Sequence, residues 1–168
     1  MAVTPWSSPL TERLSDRFTY VAGEFSTYAG QRFFTATSAI LPALLEYLKT
    51  DESFDFLVDL TAVDYPQRAQ RFELVYILYS YRLNERLRIK SNVAETEKPP
   101  TVTGVFAGAN WLEREAFDMF GIEFAGHPDM RRILLPDEWQ GHPLRKDYGI
   151  TQMDNDWVRE NLGIDSGQ

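Results

Sequence analysis

The stretch RFELVYILYSYR, residues 71 to 82, is apolar on both of its alternating faces: Phe72, Leu74, Tyr76 and Leu78 on one, Val75, Ile77, Tyr79 and Tyr81 on the other. A strand of this kind belongs in the centre of a covered sheet, so the rest of the chain has to be arranged around it. Leu83-Asn84-Glu85 supplies a short turn. Beyond it Leu87, Ile89, Ser91 and Val93 alternate with Arg86, Arg88, Lys90 and Asn92, which predicts a hairpin whose second strand shows a row of cations to solvent or to a partner. Residues 71–92 hold five basic and two acidic groups, +3, and the whole chain is at -8, which leaves -11 for the remainder.

Upstream, Phe54, Phe56, Val58 and Leu60 fall on one face of a second period-two stretch, with Asp55, Leu57, Asp59 and Thr61 on the other, and Asp64-Tyr65-Pro66 stops it. Arg32 to Thr37 reads as a short strand. Ile40, Leu41, Leu44, Leu45 and Leu48 then have helical spacing, with Ser38 as the opening residue, Pro42 tolerable in the first turn and Lys49 at the C-terminal end. Residues 95–101, ETEKPPT, form a rigid polar connection. Asn110 is placed to cap a helix over WLEREAFDMF, and Gly121 to end it. The expected fold is therefore α+β: a mixed or antiparallel sheet with a central hairpin packed by helices, over residues 1–121, of which 1–30 are a loosely held start containing one short helix. Residues 122–168, dense in Pro, Gly and charge, are expected to be an extended, irregular interaction segment.

At 168 residues the chain is long enough to bury a core without a disulfide or metal staple, and it contains no cysteine. That excludes thiol nucleophiles, Cys-ligated zinc and thiolate-held iron–sulfur clusters, so any redox chemistry must be carried by a partner or a noncovalent cofactor. Net charge of -8 argues against nucleic acid. The uncharged run Phe33–Leu45 is too short to span a membrane, and the N-terminal residues lack the pattern of a secretory signal. No dinucleotide fingerprint, P-loop or serine-hydrolase elbow occurs.

Chemistry-bearing side chains concentrate between residues 113 and 147. Both histidines occur in Gly-His-Pro tripeptides, at His127 and His142, each followed by a basic pair: Arg131-Arg132 and Arg145-Lys146, near Asp129 and Asp147. Two His with Glu113, Asp118 or Asp129 would match the donor set of a catalytic zinc site and a small metal-dependent hydrolase. The alternative, which the spacing favours, is that each tripeptide is a turn whose imidazole bonds a neighbouring group. Glu113, Arg114, Glu115 and Asp118 crowd one helix, where only Glu115 with Asp118, or Arg114 with Asp118, are spaced to meet. They are expected to form an ion-pair network with the basic pairs arriving from later in the chain.

The string NWLEREAFDMFGIEFAGHPDMRRIL, Asn110 to Leu134, strongly resembles the signature of the thirty-kilodalton subunit of respiratory complex I, the C-type subunit of NADH:quinone oxidoreductase and the J-type subunit of its plastoquinone-reducing relatives. FDFLVDLTAVDYP, RFELVYILYS, NERLRIK and GHPLRKDY extend the likeness across residues 38 to 148. The resemblance implies an accessory subunit of the peripheral arm with no catalytic, cofactor or metal residues of its own, FMN and iron–sulfur clusters being held by other subunits. It implies contacts chiefly with the large quinone-site subunit of D type and the iron–sulfur subunits of B and I types. It also implies a peripheral position on the cytoplasmic side of the bacterial inner membrane, reached only through the complex.

In that setting Arg131, Arg132, Arg145 and Lys146 are expected to lie at an interface or to lock the segment after Gly121 onto Glu113, Glu115 and Asp118. Plastoquinone-type chains have Gly-Trp-Pro where this chain has Gly141-His142-Pro143, which points to the NADH:quinone branch. The tail after Tyr148 departs from the family's long closing segment. It is acidic, and Trp157, Val158, Leu162 and Ile164 suggest a short docking element.

Overall fold

A computed structural model of the chain describes residues 2–18, 25–149 and 155–163. Its elements run β1 (Thr4–Pro5), α1 (Pro9–Arg17), β2 (Ser26–Tyr28), β3 (Gln31–Thr35), α2 (Leu41–Thr50), β4 (Phe56–Asp64), β5 (Phe72–Ser80), β6 (Glu85–Val93), α3 (Ala109–Phe120) and α4 (Asn155–Leu162). The six strands form one mixed sheet in the order β1-β2-β3-β6-β5-β4, antiparallel throughout except where β3 runs parallel to β6. The fold is α+β, and the β5–β6 hairpin lies inside the sheet as its pattern requires.

One sheet face is sealed. Leu74, Tyr76 and Leu78 of β5 and Leu87, Ile89 and Val93 of β6 meet Leu41, Leu44, Leu45 and Leu48 of α2 and Ala116 and Phe120 of α3 in a single core. The other face is not covered as the strand pattern predicts. Val75, Ile77 and Tyr79 remain half-buried, and the cations of β6 share that face with them.

Four further expectations are corrected. Val58 has no partner in β5, because the register steps from Leu57↔Leu78 to Asp59↔Ile77. This bulge breaks the period of two: Leu57 turns into the core while Phe56 and Val58 face out. α2 starts after a 3-10 turn over Ser38–Ile40, and Ser38 bonds Glu97 instead of capping the helix, whose second residue, Pro42, offers no N–H. α3 starts at Ala109 with Gly108 as its cap, because turn bonds from Ala109 to Phe106 and from Asn110 to Ala107 wind the backbone early. Finally, the described residues of the start hold more structure than expected: Ser8 and Thr11 form a reciprocal capping box, Leu14 is fully buried, and β1 and β2 extend the sheet.

The core also runs past residue 121. Gly121 ends α3 in the left-handed conformation at φ 77°, yet Ile122 and Phe124 sit in the same core, and Ala125 bridges Pro100. From Gly126 to Gly149 no helix or strand forms, and this strap is held by side chains. Of the expected tail element, α4 is present with Val158 buried; Ile164 and the side chains of Trp157 and Leu162 lie outside the described residues. No helix among the described residues is long and apolar enough to cross a membrane.

Candidate functional site: two carboxylate clamps on the strap

α3 has buried positions at 113, 116, 118 and 120, which carries Glu113 and Asp118 inward with Ala116 and Phe120. Asp118 is fully buried and is the first clamp. Its Oδ1 accepts from Arg132 Nη1 at 2.6 Å, and its Oδ2 accepts from the backbone N–H groups of Ile133, Leu134 and Leu135 at 3.0, 2.7 and 2.9 Å. Burial by itself would raise the Asp118 pKa, but those three N–H groups and the guanidinium outweigh it and hold the carboxyl below its usual range. Arg132 spends its other donors on the carbonyls of Trp139 and Gly141, at 3.0 and 2.9 Å, so it gathers the strap as it pairs.

The helix backbone takes part as well. His142 donates from Nδ1 to the Asp118 carbonyl at 2.9 Å and sets its ring edge-on to Phe117, while Leu144 N–H reaches the Met119 carbonyl at 3.0 Å. These are carbonyls of the last helical turn, which lack partners within the helix. Arg114 supports the same loop, donating to the carbonyls of Arg131 and Arg132 at 3.0 and 2.9 Å.

The second clamp lies where β4 leads into β5. Asp64, fully buried, receives Arg71 in a bidentate pair at 2.8 and 2.9 Å and the Lys146 N–H at 2.7 Å. Arg71 also meets Asp147 at 2.8 Å and Glu95 at 3.1 Å, and Arg145 bonds Glu95. Arg71 holds the Asp64 carboxyl below its usual range against the opposing effect of burial, and the Lys146 N–H adds to this.

Glu113 is different in kind. It is buried, accepts from Thr101 Oγ1 at 2.6 Å and Val102 N–H at 2.7 Å, and burial pushes its carboxyl up to about 7. His127 lies 3.9 Å away, but its Nδ1 accepts from Asp129 N–H at 3.0 Å, so Nε2 carries the proton and bonds the Asn110 carbonyl at 3.2 Å.

The expected network thus assembles selectively. Asp118 takes Arg132, whereas Arg131 pairs with Asp129 at the surface, Arg145 and Asp147 join the second clamp, Lys146 contributes its backbone, and Glu115 is exposed and joins neither clamp. The pairings Glu115–Asp118 and Arg114–Asp118 do not form. Both imidazoles bond backbone groups, as turn histidines do, and among the described residues no group of three or more His, Asp or Glu side chains is placed to hold a metal. The metal-hydrolase alternative has no support in this geometry.

Asp64, Arg71 and Glu95 are not among the site residues that the sequence suggests. Asp64 and Arg71 flank the turn at the β4–β5 ladder's end, where Asp64 registers with Phe72, and opposite charges across such a turn are the available signal.

The family model for the 30-kilodalton subunit of respiratory-chain NADH dehydrogenase matches residues 34–154, both clamps included. The chain belongs to that family. Similar curated members include the C-type subunit of the NADH-quinone oxidoreductase of Rhodopseudomonas palustris (strain TIE-1), 47% identical over 133 residues, covering 78% of this chain and 65% of that protein. The mitochondrial NADH dehydrogenase [ubiquinone] iron-sulfur protein 3 of Candida albicans is also 47% identical, over 131 residues, covering 76% of this chain and 47% of that protein. A Bdellovibrio bacteriovorus protein, named as the C/D subunit of NADH-quinone oxidoreductase, is 42% identical over 139 residues, 83% of this chain and 25% of its own length.

The chain thus spans less than two thirds of the length of these 30-kilodalton family members. A chain in the membrane-bound sulfane sulfur reductase, an archaeal respiratory membrane complex, has the same fold, with a TM-score of 0.73 at 23% identity over 92% of this chain and 90% of that one.

Proposed function

We propose that the chain is an accessory subunit of the peripheral arm of a proton-translocating NADH:quinone oxidoreductase, acting as a scaffold and clamp beside the quinone-site subunit. The observation that carries this reading is the family match over residues 34–154. The relatives' names favour the NADH:quinone branch over the plastoquinone type. The Bdellovibrio relative is named as a C/D subunit, which supports the D-type subunit as first neighbour; iron–sulfur subunits of B and I types complete the proposed partners.

In this reading electrons pass from NADH through FMN and iron–sulfur centres to quinone entirely within other chains. These 168 residues supply no cysteine thiolate to a cluster. Their role is to present a shaped surface, and the two clamps serve it by fixing the strap on the α+β core, so that no ordering cost falls on assembly. The chain is then peripheral, on the cytoplasmic side of the bacterial membrane, and meets the membrane only through the complex.

The test is affinity purification of the tagged chain from its own cells. Co-purification with D-, B- and I-type subunits and NADH:quinone activity is expected, while the purified chain alone turns over nothing. Stand-alone NADH oxidation, or recovery free of those subunits from cells with an intact complex, would overturn the reading.

A further inference from the structure

The open face of the sheet carries a patch that neither clamp uses. Across its three last strands, Phe56, Tyr79 and Arg86 lie in one register row, and Asp59, Ile77 and Arg88 in the next. Phe56, Val58, Tyr79, Tyr81, Asn84 and Arg86 line an open groove of ≈ 490 Å³. Phe56, Val58 and Tyr81 are 46%, 38% and 67% exposed, high for apolar and aromatic side chains clustered on one face. The bulge creates the patch by turning Val58 outward beside Phe56.

The groove is pre-shaped. Tyr81 stands edge-on to Tyr79 at 4.9 Å between centroids and tilted against Phe56 at 5.9 Å, and Tyr79 Oη donates to Asn84 Oδ1 at 2.6 Å. Rigid aromatics beside arginine are what buried interface centres are enriched in, because they add contact area with little entropy to lose. Along β6 the cations stand two residues apart. Lys90 is paired with Glu73 at 2.8 Å and Arg88 bonds the neutral Gln31, but Arg86, at the groove, makes no hydrogen bond or ion pair among the described residues.

We propose that this groove docks an acidic segment of a partner subunit, an apolar side chain packing on the surface formed by Phe56, Val58 and Tyr81 and a carboxylate meeting Arg86. The charge sets the occupant. A second copy would bring its own net charge of -8 to the contact, and a two-fold axis passing at Arg86 would set like cations against each other. An anionic membrane would face the whole chain, at net charge -8, whereas a short segment with a carboxylate meets only the local +3 of residues 71–92. The existence of a partner rests on the subunit role proposed above; the position of the groove does not.

The experiment places a photo-crosslinking amino acid at Tyr81 in the full chain, expressed in its own cells, and sequences the crosslinked peptide from the purified complex. A crosslink to an Asp- or Glu-containing peptide of another subunit is expected. Arg86→Glu should cut that crosslink at least tenfold, and a compensating Lys in the captured peptide should restore it. A crosslink to a second copy, to this chain's own residues 149–168 or to lipid, or a complex that contains the chain but gives no crosslink, would overturn the proposal while leaving the subunit role standing. Absence of the chain from the complex would overturn both. Retention of the Arg86→Glu crosslink at full yield would also refute the charge argument.

Discussion

The imidazole of His142 packs so closely on Gly121 that a β-carbon added there would lie 2.7 Å from two ring atoms. Gly121 therefore answers two demands: the left-handed turn that ends α3, and room for the strap to cross the helix end.

Gly121→Ala should lose both. The left-handed conformation costs an ordinary residue about 1–2 kcal/mol, and displacement of His142 adds to this. In a His142→Ala background the second part should vanish, so the two substitutions will not add in thermal or denaturant unfolding. Strict additivity would mean that the contact carries no weight.

Asp118→Asn and Arg132→Ala each strand one member of a buried pair, and each should cost about 3 to 5 kcal/mol. Because both release the same loop, the double variant should cost little more than either one. Limited proteolysis checks the structural consequence: cleavage within residues 126–149 should precede global unfolding in the variants and not in the parent chain.

Rising pH should weaken the protein through Glu113. Its folded-state carboxyl, up at about 7, holds its proton more tightly than in the unfolded chain. That contribution is complete below the unfolded value near 4.5 and is lost as pH rises through about 7. Glu113→Gln should flatten the decline between pH 5 and 8 by on the order of 3 kcal/mol, measured as unfolding free energy at each pH. An unchanged slope would remove Glu113 as its cause.

Acid should act oppositely at the clamps. Asp118 and Asp64 are held below their usual range, so their contributions are present above their unfolded values near 3.8 and disappear as pH falls through the lower folded ones. Asp64→Asn should make the acid limb shallower and free residues 145–147 to exchange amide protons faster, which hydrogen exchange at pH 5 and 3 would record.

Much of this architecture is written in local pattern. The two-faced run at residues 71–82, the alternation after it and the leucine spacing of α2 prescribe an interior hairpin with a helix on it, because periods of two and 3.6 map directly onto faces. The string from Asn110 to Leu134 carries the family likeness, and the crowding of acids on α3 near two basic pairs announces a network. Those properties depend on near neighbours along the chain.

Which acid meets which base was decided elsewhere. Asp118 chose Arg132 over Arg131 because Oδ2 also collects three successive N–H groups from the loop that follows. Lys146 reaches Asp64 by its backbone across 82 residues. One unpaired residue, Val58, split a predicted single face, leaving Phe54 and Leu60 in the core and Phe56 and Val58 in an exposed groove. Pairings over such separations, and the register of two strands, are set by how the core closes as a whole; no sequence period encodes them.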